Sequence, residues 1–89
     1  MRSHNLLGAA FLLAACGSEP HPYPAEAKTS FHATCPENNP ECVCTWEAIT
    51  RAMTVEEFDD AIATFEAQGS MDPRITRART KCREKHAPA

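Results

Sequence analysis

Four cysteines, Cys35, Cys42, Cys44 and Cys82, stand in a stretch with too little apolar bulk to fold on burial alone. Between residues 25 and 86 the large apolar side chains are Phe31, Val43, Trp46, Ile49, Met53, Val55, Phe58, Ile62, Phe65, Met71 and Ile75. A domain under about 70–80 residues rarely draws more than ~3–5 kcal/mol from one core, so it needs covalent staples. Four cysteines are most simply two disulfides, which three connectivities allow. Pairing Cys42 with Cys44 closes a strained ring across a single residue. That leaves Cys35–Cys44 with Cys42–Cys82, or Cys35–Cys42 with Cys44–Cys82. In either case one bridge clips a short loop and the other ties the C-terminal part to the middle of the chain. Cys42 and Cys82 both fall on apolar helical stripes, which favours Cys42–Cys82.

Those stripes run through most of the chain. Ala25 to Cys35 places Phe31 and Cys35 four apart and ends at Pro36. Asn39-Pro40 reads as N-cap and first helical residue of a second helix. Its stripe is Cys42, Trp46, Ile49 and Met53, with Trp46 expected in the core opposite Phe58 or Phe65. Thr54-Val55-Glu56-Glu57 is a capping box that opens a third helix, with Val55, Phe58, Ile62 and Phe65 directed inward and Gly69 as its stop. Asp72-Pro73 restarts the chain, and Ile75, Ala78 and Cys82 line a fourth helix. No period-two pattern competes. The expected fold is all-α: a small disulfide-stapled bundle of three to four short helices over residues 25–86, with 87–89 as a disordered tail.

Upstream lies a different composition. Leu6 to Ala15 (LLGAAFLLAA) is a ten-residue apolar run that contains every leucine of the chain and follows Arg2. It is long enough for a signal peptide and too short for a bilayer core of ~30 Å. It closes on Leu13-Ala14-Ala15-Cys16, and this segment resembles the lipobox of bacterial lipoproteins. The resemblance implies diacylglyceryl attachment to the Cys16 sulfur, cleavage between Ala15 and Cys16, then acylation of the new amino group. Several acyl chains at about 0.8 kcal/mol per buried methylene make a lasting anchor. Residue +2 is Gly17 and not Asp, which in Gram-negative members of the class implies an outer-membrane location facing the periplasm. The domain order expected is a signal peptide over 1–15, then lipidated Cys16 with a tether to residue 24. Gly17 to Pro24 (GSEPHPYP) carries three prolines. At ~3.1 Å per residue such a tether holds the domain roughly 25 Å from the lipid.

A second resemblance covers Phe31 to Cys82. Phe31-x₃-Cys35, Cys42-x-Cys44, the Thr54–Phe58 helix start (TVEEF), Gly69 and Cys82 together are similar to a broad group of small exported bacterial helical proteins. It implies the helical fold and the bridges, and adds no activity.

Charge is segregated. After residue 15 the chain has eight Lys and Arg against twelve Asp and Glu, a net of −4. Residues 16–72 hold eleven of the acidic groups with only Lys28 and Arg51, whereas residues 73–89 hold six cations against Glu84. Acidic groups early in the third helix and cations late in the fourth suit the helix dipoles, and the two helices can neutralise each other side by side. Arg74, Arg77, Lys81 and Lys85 fall on one face, away from the Ile75/Ala78/Cys82 stripe, where they could meet an anionic lipid surface or an acidic envelope protein. Nucleic acid is not expected, because the domain is acidic and no aromatics interleave the cations.

Catalytic chemistry is not expected either. His4 precedes the cleavage site, His21 lies in the tether, His86 is near the terminus, and His32 should face solvent beside Phe31. Neither hydrolase spacing nor a glycine-rich phosphate loop is present. No cofactor is implied. The expected function is therefore a non-enzymatic, lipid-anchored envelope module that binds a protein or the membrane surface. The alternative is a thiol-dependent Cu(I) or redox protein using Cys42-x-Cys44, since thiolates favour soft ions. On a helix, however, i and i+2 point ~200° apart.

Overall fold

The computed structural model describes residues 19–87, so the signal segment, Ala15, Cys16 and the last two residues lie outside it. Local chemistry sets where each helix begins. Helix α1 (Ala25–Thr34) follows Pro24 and ends before Pro36. Helix α2 (Pro40–Ala52) is capped by Asn39, whose side chain accepts from the amides of Glu41 at 2.8 Å and Cys42 at 3.4 Å. Helix α3 (Val55–Gln68) opens with both halves of the Thr54/Glu57 capping box and stops at Gly69, whose φ of 75° is the left-handed conformation that glycine adopts without a Cβ clash. Helix α4 (Pro73–Lys85) is capped by the Asp72 carboxylate.

These caps fix element ends; burial decides how the elements meet. Helices α2 and α4 form the main pair, and α1 leans on α2. Ile49 of α2 and Met53, the residue that ends it, are wholly buried against Ile75 and Ala78 of α4 and Ala61 of α3, with Phe31, Phe58, Ile62 and Met71 packed around them. The all-α bundle expected from periodicity is what the described residues form, as four helices.

The bridges correct one expectation. They join Cys35 to Cys42 and Cys44 to Cys82, not Cys42 to Cys82, with Cα–Cα distances of 5.4 and 5.7 Å. The reason is the ~200° between i and i+2 on a helix. Cys42 turns back toward the end of α1, so Cys44 points toward α4. A shared apolar stripe says that Cys42 and Cys82 are both buried, not that they face each other. Helix α2 is thus stapled to a neighbour on each of two sides.

Three further differences concern packing. The tether expected through residue 24 is docked from residue 21 onward: the His21 amide donates to the Thr50 carbonyl at 2.7 Å. The Tyr23 hydroxyl is shared between the carbonyls of Met53 and Thr54 at 2.9 and 3.1 Å, where α2 gives way to α3. His32 is half-buried, not solvent-facing; its Nδ1 donates to the Cys35 carbonyl at 2.7 Å, and its ring meets Phe31 edge-on at 5.2 Å. Phe65, expected inward, is 43% exposed, because α3 runs on past the surface it packs against.

Trp46 is the hub of this arrangement. Its ring centroid lies 5.1 Å from Phe31, 5.2 Å from Tyr23 and 5.9 Å from Phe58, joining α1, the docked segment and α3 to α2. Burial, with Asp59 and Glu57 nearby, pushes the Tyr23 phenol up to about 12. A raised folded-state pKa means that its contribution is whole below pH ~10 and is lost as pH rises toward 12, where the unfolded chain alone has shed the proton. Tyr23 is the only tyrosine, so phenolate absorbance reports it directly. We expect a transition near pH 12 in the folded protein and stability that falls between pH 10 and 12. In Tyr23→Phe that alkaline loss should vanish, at a cost of about 1 kcal/mol at neutral pH for the missing hydrogen bond. A phenol titrating at 10 in the folded wild type would contradict the docked geometry.

Candidate functional site

Two surfaces carry chemistry: the outer face of α4 and a groove between α1 and α3. On α4 the four cations of the sequence face do not act together. Arg74 is bound at both ends of its fork, with Nε 3.1 Å and Nη2 3.0 Å from the Asp72 carboxylate and Nη1 3.4 Å from Glu57. Asp72 is held below the usual carboxylate range by the Arg74 guanidinium and the Arg74 amide. Glu57 is lowered first by the Thr54 amide and then by Arg74. Arg74 accordingly locks the start of α4 to the start of α3, as the dipole reading of the charges anticipates. Arg77, Lys81 and Lys85 stay exposed and form no ion pair among the described residues, while Arg83 reaches Glu41 at 3.8 Å. The free part of the face is therefore three cations long.

The groove was not visible in the sequence. Between helices α1 and α3 opens a volume of about 660 Å³. Its floor is Ala27 and Phe31 from α1 with Val55, Phe58, Ile62 and Ala63 from α3, and Pro24 closes one end. Glu26, Asp59 and Glu66 stand on its margins, and no Lys or Arg lines it. The sequence signal was the Phe58/Ile62/Phe65 stripe, which is longer than the core it meets; only the packing shows that its outer part is uncovered.

The cysteines singled out for soft-metal or redox chemistry are elsewhere. Cys42 and Cys44 each close a different bridge, so no pair of thiolates faces one ion in this state. Among the described residues no helix is long and apolar enough to cross a membrane. Set against protein-family models, curated proteins and solved structures, the chain matches none of them.

Proposed function

We propose that this chain is a bacterial envelope lipoprotein, anchored through acyl chains on Cys16 and working by binding, not catalysis. The supporting observation is the division of its five cysteines. Four are consumed in two bridges, as suits an oxidising compartment; the fifth is Cys16, in the lipobox Leu13-Ala14-Ala15-Cys16. Gly17 favours the outer membrane, facing the periplasm. The exposure of Arg77, Lys81 and Lys85 supports an encounter with anionic headgroups, each cation worth about 1 kcal/mol near such a surface.

Metabolic labelling with an alkyne-bearing palmitate tests the anchor. Wild-type protein is expected to take up label and sediment with membranes, and Cys16→Ser to lose the label. An unlabelled, freely soluble wild type refutes the proposal.

A further inference from the structure

We propose that the groove between α1 and α3 is the docking site for a cationic amphipathic helix of a partner protein. This deepens the binding-module reading and rests on it. Apolar character comes first. Phe58 and Ile62, four apart on α3, line the groove together with Val55 and with Phe31 of α1, the kind of apolar surface on which an amphipathic helix lays its own apolar face. Phe58 and Ile62 are only half-buried and Phe65 is exposed; every residue from Ala63 to Gln68 is exposed as well. The stripe from Val55 to Glu66 is about 16 Å long at 1.5 Å per residue, enough for roughly three turns of a docked helix.

Charge selects the occupant. Glu26 on α1 and Asp59 and Glu66 on α3 flank the apolar floor, and none of them has a cationic partner among the described residues. An anionic headgroup or an acidic peptide meets like charge there. A helix with leucine-type residues on one side and Lys or Arg along its edges satisfies both floor and margins, with the charges steering approach and setting register. A second copy of this chain is a poorer fit. Its basic helix α4 already buries Ile75, Ala78 and Cys82 in its own core and can offer only charge.

The test uses the chain from residue 16, the mature end that the proposed cleavage leaves, carrying Cys16→Ser so that lipid and detergent stay out of the assay, and a fluorescent helix of leucine and lysine about three turns long. Fluorescence anisotropy is expected to show saturable binding that Glu26→Lys/Asp59→Lys/Glu66→Lys weakens at least ~tenfold, or about 1.4 kcal/mol. The matched set Glu37→Lys/Glu47→Lys/Glu84→Lys, outside the groove, should change affinity less than ~twofold by screened long-range charge. Circular dichroism of both variants checks that the fold is kept. Equal weakening by both sets, or equal binding of a peptide with scrambled leucines, overturns the groove as the site. Self-association that only the first set abolishes also overturns it, and assigns the groove to a second copy. Palmitate labelling of the wild type is untouched by any of these outcomes, so failure here is separable from failure of the anchor.

Discussion

Replacing Cys44 and Cys82 together with alanine is expected to leave the domain largely unfolded near room temperature. The bridge closes a loop across 38 residues of sequence, against 7 for Cys35–Cys42. In the chain-entropy picture the longer loop contributes about 4 kcal/mol and the shorter about 2.4 kcal/mol. A domain this small holds only ~3–5 kcal/mol from its core, so the longer bridge contributes about as much as the core itself and the shorter one less. Removing a native bridge of this size often abolishes folding of a small domain. Each kcal/mol moves the midpoint of such a domain by ~4–8 °C. Thermal melts followed by circular dichroism should therefore show no folded baseline, or a midpoint lowered by roughly 16–32 °C, for Cys44→Ala/Cys82→Ala, with about half that shift for Cys35→Ala/Cys42→Ala. The opposite ranking would mean that loop length does not govern these staples.

The second large effect is expected at Trp46. Removing a buried tryptophan costs ~3–5 kcal/mol, and each well-placed aromatic pair adds ~0.5–1.5 kcal/mol beyond its area. Trp46 is 7% exposed and pairs with Tyr23, Phe31 and Phe58. Trp46→Ala should cost about 4 kcal/mol in urea unfolding, and Trp46→Phe less than half of that. The damage has a direction, because α2 and α4 remain joined by Cys44–Cys82 while α1 and the docked segment lose their shared support. The Tyr23 phenol should then titrate near its ordinary value of ~10 before the α2–α4 pair comes apart. Retention of the pKa of about 12 in Trp46→Ala would show that the Tyr23 hydrogen bonds alone hold the segment.

Helix boundaries were legible because they are local. Asn39-Pro40, Thr54 with Glu57, Asp72-Pro73 and Gly69 each act within one turn of their own position, and all four end or begin helices as read. Burial of Cys42, Trp46, Ile49 and Met53 was legible too, since a 3.6-residue period encodes which side is apolar. What the period does not encode is rotation between helices. That is why the bridge from α2 to α4 was assigned to Cys42 and not to Cys44, and why Phe65 was counted as interior. Arg74 belongs with these: its neighbours on the fourth helix suggested a continuous basic face, yet its nearest charges lie on Asp72 and Glu57. The groove, lined from both α1 and α3, follows from the same missing information. Tyr23 was passed over for another reason. A lone aromatic among prolines reads as linker, and its partners Met53 and Thr54 lie 30 and 31 residues away.

The docked segment His21–Tyr23 would also set a leash. Between Cys16 and Ala25 a free chain would span nine residue steps, about 32 Å at full stretch; between Cys16 and His21 it spans five, about 18 Å. A protein lipidated at Cys16 and gripped at His21 would thus have a reach shorter than the ~30 Å hydrocarbon core beneath it. A leash that short would keep the domain close over the bilayer surface while leaving it free to move sideways.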